Sequence, residues 1–351
     1  MKAFTKIPVV DVSALGGSDP AAHAATVAKL REIASSIGFL YVSGHGIPEA
    51  VSSELIAAAK GLFDLSLPEK MKIYIGNSRN HRGYVPEGEE VFAGKTPDRK
   101  EAFDLAQDLP NDDPDYLAGN PLLGPNQWPE NLPGFREAVM AYYAAAFQLG
   151  RRLLRGFSEA VGLEPTALDH LVTKPTSQLR LIHYPFHAGR QDAPGIGAHT
   201  DYELFTLLLP TAAGLEAMNG SGEWIDVPPV PGALVVNIGD MLEVLSNGLF
   251  VATSHRVRAV KEERYSFPLF FACDYAALVR PLPQFVTPER PAAFDEIVAG
   301  EHLFAQTVLT FKYLRERRDS GELKLPERSL GLSSFGQEAR HPTHAPAADI
   351  G

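Results

Sequence analysis

The chain has 351 residues, of which 45% are hydrophobic and 21% charged, and its formal net charge is −11 at pH 7. This composition is typical of a soluble globular enzyme, and the acidic balance argues against binding to nucleic acid or to an anionic membrane surface. The single cysteine, Cys273, excludes an internal disulfide and a cysteine-rich metal site.

The first residues contain no apolar signal-peptide core, and no stretch of the chain approaches the roughly 18 apolar residues of a membrane span. Together with the charge, these features predict a cytoplasmic protein that acts on small molecules. A membrane or nucleic-acid partner is not expected.

Two short strands and three helices are predicted in the first half of the chain. The strands are 7–11 and 39–42. Apolar residues at three- and four-residue spacing predict helices over 22–37 and, most clearly, over 134–161. A proline at position 48 suits the first turn of a third helix, 48–65.

The remaining segments differ in composition. Residues 74–135 are rich in Pro, Gly, Asp and Asn, and their aromatic residues favour an ordered covering loop. After residue 176, short apolar segments alternate with turn residues, which indicates a β-sandwich, jelly roll or barrel. The predicted strands here are 178–184, 204–209, 214–218, 223–227, 233–238, 255–260 and 264–273. A helix is predicted over 300–317, and the tail from Arg340 is predicted to be disordered.

The most informative motif is His199-Thr-Asp201. Residues i and i+2 of a β-strand point to the same face, so both side chains can reach one ion. This motif alone is weak evidence for a metal site. His255, however, lies in a later predicted strand, and a jelly roll can bring that strand back beside His199 and Asp201. Two imidazoles and one carboxylate form the facial triad of non-haem Fe(II) oxygenases, whereas a structural zinc site needs a fourth ligand.

Most of the eleven histidines are not expected to bind metal. His45 lies in a glycine-rich turn, where a structural hydrogen bond is the expected role. One of His183 and His187, which flank a strand end, is a candidate for lining the pocket. The histidines assigned to the surface or the tail are His23, His170, His302, His341 and His344.

A possible anion clamp follows the last ligand. Arg264 and Ser266 share one strand face, which continues inward with apolar residues, so the guanidinium is expected to be buried. A buried cation needs a partner, and the natural one is a ligand carboxylate held bidentately. The alternative is an ion pair with a core carboxylate such as Asp240. Tyr184 is a candidate for a phenolic hydrogen bond to the same ligand.

These residues belong to a set of motifs that resembles the iron- and 2-oxoglutarate-dependent oxygenases of the isopenicillin N synthase-like superfamily. The matching pieces span nearly the whole chain. They are Ile7-Pro-Val-Val-Asp11, Gly38-Phe-Leu-Tyr-Val-Ser-Gly-His-Gly-Ile47, Arg82-Gly-Tyr84, Lys100-Glu-Ala-Phe-Asp104, His199-Thr-Asp201, Pro231-Gly-Ala-Leu-Val-Val-Asn-Ile-Gly-Asp240, Ser254-His-Arg-Val257 and Arg264-Tyr-Ser266.

The resemblance implies a mainly β fold with flanking helices around a double-stranded β-helix, or jelly-roll, core. It also implies one structural unit with a family N-terminal region at 1–120, connecting helices at 121–175, the catalytic core at 176–280, and a C-terminal helix and tail at 281–351.

The same resemblance implies a cofactor, a cosubstrate and their ligands. Fe(II) would lie on the His199, Asp201 and His255 side chains. The distal carboxylate of 2-oxoglutarate would lie on Arg264 and Ser266, helped by Tyr184, and O₂ would be the oxidant. Many members have Asn-Tyr-Tyr-Pro where this chain has Ile-His-Tyr-Pro at 182–185, so a contact made by that Asn is absent here.

The segment 83–95 also resembles the matching loop of the bacterial ethylene-forming enzyme. There the loop helps to hold an arginine substrate through a Glu, which is Glu90 here. Phe92 replaces a neighbouring Thr and makes the expected pocket more apolar. The other candidates for substrate contact are Tyr84, His183, Phe205 and Phe270.

The favoured function is therefore a 2-oxoglutarate-dependent dioxygenase that hydroxylates, desaturates or cyclises a small molecule and releases succinate and CO₂. Three alternatives stay open: an oxidase of the isopenicillin N synthase type that uses no keto acid, an ethylene-forming activity, and a non-catalytic ligand-binding jelly roll. Pocket loops vary on a shared fold, so neither the primary substrate nor the oligomeric state is predicted.

Overall fold

The elements of the fold come from a computed structural model that describes residues 3–90, 100–186, 196–258 and 262–326. The helices are α1 (Pro20–Ser36), α2 (Glu49–Phe63), α3 (Leu67–Met71), α4 (Pro114–Leu117), α5 (Phe135–Ala160), α6 (Asp240–Leu245), α7 (Ala299–Thr310) and α8 (Lys312–Asp319). The strands are β1 (Val9–Asp11), β2 (Phe39–Ser43), β3 (Gly83–Val85), β4 (Glu101–Ala106), β5 (Gln178–Tyr184), β6 (Ile196–His199), β7 (Phe205–Pro210), β8 (Leu215–Met218), β9 (Trp224–Asp226), β10 (Leu234–Ile238), β11 (His255–Val257), β12 (Arg264–Phe271), β13 (Leu278–Val279) and β14 (Ile297–Val298). Within these ranges, every helix is too short or too polar to cross a bilayer. The tail for which disorder was predicted lies outside the described residues.

Two sheets form the core of the fold. The larger has the strand order β1-β2-β10-β7-β12-β5-β4-β3, and the smaller has the order β6-β11-β8-β9. Apart from the parallel pair β1–β2, the pairings within these two sheets are antiparallel. This arrangement agrees with the predicted mainly β fold with flanking helices.

Helix α5 covers the outer face of the larger sheet. Its bounds agree with the predicted helix over 134–161, since the apolar side chains that gave the pattern are the buried ones. The helix approaches the sheet closely at Gly150, where a Cβ atom would lie only 2.4 Å from the Phe271 ring. One hydrophobic cluster runs from Val10 to Leu314, so N-terminal and C-terminal residues share a core.

The segment 74–135 was expected to be a covering loop, and this prediction was wrong for part of it. Strand β4 lies inside the larger sheet, between β3 and β5. The sequence did not predict this strand, because a charged residue is not expected at a buried strand position. Asp104 is nevertheless fully buried and pairs with Arg180 of β5 at 2.6 Å. Strands β1 to β4 share one sheet with strands from the later part of the chain. The predicted division of the chain into regions at residues 120, 175 and 280 stays a prediction.

The predicted helix 300–317 is two helices, α7 and α8, separated at Phe311. This residue has extended backbone angles, φ −88° and ψ 130°. Its ring packs edge-on against His81, with 4.5 Å between the ring centroids. The residue between the two helices therefore places its buried aromatic ring against His81.

Candidate active site

The three predicted metal ligands come together at one end of the smaller sheet. His199 is the last residue of β6, and its register partner in the antiparallel pair is His255 of β11. Asp201 lies in the turn just after β6, so the expected strand geometry holds only in part. One potential ligand atom from each residue lies within 4.8 Å of the others. The Oδ1 atom of Asp201 is 3.7 Å from His199 Nε2 and 3.4 Å from His255 Nε2.

Backbone carbonyls fix the orientation of both imidazoles. The Nδ1 atom of His199 lies 2.8 Å from the Gly197 carbonyl oxygen, and that of His255 lies 3.1 Å from the Thr253 carbonyl oxygen. A carbonyl oxygen only accepts, so each Nδ1 carries the hydrogen and each Nε2 turns toward Asp201. Burial and the neighbouring His255 lower the pKa of His199 to about 4, which keeps its imidazole neutral and able to bind a metal.

The carboxylate of Asp201 is held from its other side. Its Oδ2 atom accepts hydrogen bonds from the Thr206 hydroxyl and, at 2.7 Å, from Asn237 Nδ2. Thr206 and Asn237 belong to the larger sheet, so the two sheets meet at this carboxylate. Burial opposes its charged form, but His255 and His199 outweigh burial and lower the pKa of Asp201. Its Oδ1 atom is thereby left for an ion.

Asn237→Ala is expected to weaken metal binding about 10–100-fold, the usual effect of removing a group that orients a ligand. The Asp201 carboxylate would keep its charge but lose one of the two donors that hold its orientation. The affinity of the protein for metal is measured by titration with Mn(II). The same ligands bind Mn(II), and it does not react with O₂ during the titration. Unchanged Mn(II) affinity in a folded variant would show that Thr206 alone fixes the carboxylate.

The donor set fits Fe(II). Two imidazole nitrogens and one carboxylate oxygen suit a first-row divalent metal, and this triad leaves positions open for substrates. Within the described ranges, no fourth His, Cys, Asp or Glu joins the group. A closed structural zinc site normally has four protein ligands, so the donor set favours a catalytic metal.

Arg264 lies on the facing sheet and is 1% exposed. Its Nε atom donates to the Ala212 carbonyl oxygen at 3.3 Å, and its Nη1 atom has no hydrogen-bond partner among the described residues. The guanidinium carbon lies 4.8 Å above the ring of Tyr184, its register partner in β5. Ser266 is also buried on this strand. A buried cation with an unused donor is costly, so the arrangement suits a ligand carboxylate.

The alternative partner for Arg264 was Asp240. No ion pair joins the two in the described parts of the chain, and Asp240 Oδ2 instead lies 3.2 Å from the Thr200 hydroxyl, which donates to it. Burial lowers the pKa of Arg264, as expected for a cation that no carboxylate of the described ranges balances. The core therefore leaves this guanidinium available to a ligand.

Two family models match the chain over much of its length. Residues 7–131 match the non-haem dioxygenase in morphine synthesis N-terminal model, and residues 175–272 match the 2OG-Fe(II) oxygenase superfamily model. The 2-oxoglutarate-Fe(II) type oxidoreductase hxnY of Emericella nidulans is 36% identical, over 80% of this chain and 83% of its own length. Homoarginine-6-hydroxylase 2-ODD-C23 of Glycine max is 35% identical, over 88% of this chain and 98% of its own length.

This chain belongs to the 2-oxoglutarate-Fe(II) oxygenase superfamily. A solved 2OG-Fe(II) oxygenase family protein from Caulobacter crescentus has a TM-score of 0.74 and 30% identity, covering 90% of this chain and 99% of that one. The dioxygenase for auxin oxidation in rice has a TM-score of 0.67 and 27% identity, covering 93% of this chain and 99% of its own. The predicted jelly-roll core is confirmed.

The oxygenase is thus an enzyme that uses Fe(II), 2-oxoglutarate and O₂, as predicted. Its relatives are named as 2-oxoglutarate-dependent dioxygenases and hydroxylases of small molecules. The alternatives without keto acid, with ethylene formation or without catalysis are not favoured.

A cavity of about 140 Å³ opens beside the metal ligands of the oxygenase. Its wall includes His199, Asp201, Glu203, Arg180, Phe270 and Phe311. Of the predicted substrate residues, Glu90 and Phe270 line this cavity. Ile182, which stands where many family members have Asn, also lines it, so the wall is apolar there.

Glu90 lies in the cavity wall but is already paired. Its Oε2 atom is 3.0 Å from Arg180 Nη1 and 3.2 Å from Lys100 Nζ, while its Oε1 atom has no hydrogen-bond partner among the described residues. Arg180 also makes a bidentate pair with Asp104, at 2.6 Å for both contacts. Burial alone would raise the pKa of Glu90, but the nearby cations Arg180 and Lys100 have the larger effect, so the pKa is lowered overall. The carboxylate is therefore charged, and the two cations balance its charge.

Three predicted substrate residues are not among those that line the cavity. Tyr84 and His183 contact Glu101 instead, at 2.6 and 2.8 Å. Adjacent strand residues face opposite sides, so His183 points away from the face that carries Tyr184. Phe205 packs against Phe271, with 4.8 Å between ring centroids, on the side of α5. Four of the residues for which a role or position was predicted lie outside the described ranges: Phe92, His187, His341 and His344.

Two further histidine predictions have clear outcomes. His45 accepts a hydrogen bond from the Ile47 backbone N–H at 3.1 Å, which confirms its structural role. His302 was assigned to the surface, and this was wrong, because its relative exposure is 0%. It lies on the inward side of α7, with its ring 5.9 Å from that of Tyr202.

Sequence reasoning missed Arg180 and Glu203. Arg180 precedes Ile182 and Tyr184 at two-residue steps on one strand face, a pattern that could have indicated it. Glu203 follows Asp201 at the same spacing but outside a strand. Burial and the nearby Asp201 and Asp240 carboxylates raise the pKa of Glu203 to about 8.

Proposed function

We propose that His199, Asp201 and His255 hold the Fe(II) of this oxygenase and that Arg264, with Ser266 and Tyr184, holds the distal carboxylate of 2-oxoglutarate. The observation that carries the proposal is the guanidinium of Arg264, buried with an unused N–H donor on the sheet that faces the three ligands. A dicarboxylic keto acid supplies the missing acceptor for this donor.

Each protein group then has a defined task. Bound iron supplies the oxidising chemistry, in which O₂ and 2-oxoglutarate become succinate, CO₂ and one oxygen atom in the product. Thr206 and Asn237 hold the Asp201 carboxylate through Oδ2, so that Oδ1 faces the two imidazoles. The Gly197 and Thr253 carbonyls keep both imidazoles oriented.

The substrate is a small molecule that enters the cavity beside His199 and Asp201. A volume of about 140 Å³ admits a compact molecule, and the charged wall favours a polar one. Hydroxylation is the favoured outcome over desaturation or ring closure, because relatives that align with 88% of this chain are named hydroxylases.

The protein loaded with Fe(II) is expected to release one succinate for each substrate molecule oxidised, and only when 2-oxoglutarate is supplied. The measurement is succinate and product formation across a panel of amino acids and small organic acids, with 2-oxoglutarate omitted as the control. Substrate oxidation without succinate would contradict the proposal and indicate an oxidase that uses no keto acid.

A further inference from the structure

The ionisable side chains of the substrate cavity do not balance. Among the lining residues, Glu90 pairs with both cations, Lys100 and Arg180, and Arg180 also pairs with Asp104, which is not a lining residue. Asp201 lines the cavity as one of the grouped metal ligands. Glu203 also lines the cavity, yet it forms no ion pair with, and accepts no hydrogen bond from, another side chain in the part of the chain that the structure describes. Among the described residues, the cavity therefore carries one carboxyl group, that of Glu203, which neither the metal ligands nor the cations Lys100 and Arg180 account for.

The surplus is also a surplus of hydrogen-bond acceptors. Glu90 is 5% exposed, and its Oε1 atom has no hydrogen-bond partner in the described ranges although the same carboxylate is paired through Oε2. A buried acceptor without a donor is costly, and a carboxylate accepts but does not donate when charged. A ligand that carries N–H groups and a positive charge would supply the missing donor to Glu90 Oε1 and would favour the charged form of the Glu203 carboxyl group.

The position of Glu203 links this acceptor to the reacting end of the cavity. It follows Asp201 by two residues, and the start of α6 fixes the backbone here. Asp240 N–H donates to the Asp201 carbonyl at 2.8 Å, and Met241 N–H donates to the Glu203 carbonyl at 3.1 Å. Gly239 allows this approach, since a Cβ there would lie 2.2 Å from the Glu203 carbonyl oxygen.

We propose that the primary substrate carries a cationic nitrogen group, a guanidinium or an ammonium, and that Glu203 is the residue that binds it. The unused Oε1 atom of Glu90 accepts a further N–H from the same ligand. This inference rests on the proposed function, because it requires the substrate to lie beside His199 and Asp201. It differs from the expectation for Glu90, whose charge Lys100 and Arg180 already balance.

The test compares Glu203→Gln with the wild type and with Glu164→Gln, an exposed glutamate outside the cavity that serves as the matched control. The probes are pairs that differ in charge but little in shape: L-homoarginine with L-homocitrulline, and L-lysine with L-norleucine. Binding to protein loaded with Mn(II) and 2-oxoglutarate is measured by calorimetry, and succinate release is measured with Fe(II).

In the wild type and in Glu164→Gln, a cationic probe is expected to bind and to stimulate succinate release at least tenfold better than its neutral partner. In Glu203→Gln, kcat/KM for that probe is expected to fall at least tenfold and the preference for charge to be lost. The KM for 2-oxoglutarate and the affinity for Mn(II) are expected to stay unchanged, because Glu203 is not among the grouped metal ligands.

Several outcomes would overturn the inference. Equal binding of neutral and cationic probes by the wild type would do so, as would binding of none of the cationic probes. A Glu203→Gln variant that keeps its charge preference would also contradict it, and one that loses Mn(II) affinity would assign Glu203 to the metal instead. If the wild type binds neither Mn(II) nor 2-oxoglutarate, the proposed function itself fails, which is a different result.

Discussion

Asp201→Ala is expected to abolish metal binding and turnover of 2-oxoglutarate. Two imidazoles would remain, but the carboxylate is the charged ligand and the one that Thr206 and Asn237 of the larger sheet hold in place. The loss should exceed the roughly 10–100-fold effect expected for Asn237→Ala, because a ligand is removed and not only its orienting neighbour. Mn(II) titration and succinate release measure the two effects separately.

The matched control for this variant is Asp295→Ala, which removes an exposed carboxylate far from the metal ligands in the sequence. It is expected to bind Mn(II) like the wild type. A thermal unfolding curve without metal shows whether Asp201→Ala is folded, since the change leaves the donors of Thr206 and Asn237 without their acceptor. If the Asp201→Ala protein is folded and turns over 2-oxoglutarate normally, the proposed metal site is wrong.

Arg264→Ala is expected to raise the KM for 2-oxoglutarate strongly. One hydrogen bond between charged groups contributes about 1.5–3 kcal/mol, and each 1.4 kcal/mol is tenfold, so the increase should be roughly 10- to 150-fold. The metal ligands are untouched, so Mn(II) affinity without keto acid should not change. Arg264→Lys should lie between the wild type and the alanine variant, because it keeps the charge but not the planar pair of donors.

The control for the clamp is Arg256→Ala on β11, whose guanidinium pairs with Glu216 at 2.6 Å. It is expected to leave the KM for 2-oxoglutarate unchanged. Stability gives a second readout: removal of a buried cation that no carboxylate of the described ranges balances should cost little or even stabilise the free protein. An unchanged KM in Arg264→Ala, or severe unfolding, would indicate a structural role instead.

Sequence spacing alone was sufficient for features that depend on one stretch of chain. The 3.6-residue pattern predicted α5, because the residues that form the stripe are those that face the sheet. The two-residue spacing placed Arg264 and Ser266 on one strand, and the His-x-Asp motif lies at the end of β6. The composition and these motifs, read together, also identified the family.

The tertiary structure decided which distant groups meet. The pairing of Asp104 with Arg180 joins residues 76 positions apart and makes a polar segment into the buried strand β4. The fold also neutralises Glu90, turns Tyr84 toward Glu101, and leaves Glu203 without a cation among the described side chains. Local periodicity reports which face a side chain occupies, but the partner of a buried charge comes from another part of the chain, so its presence or absence is fixed only on folding.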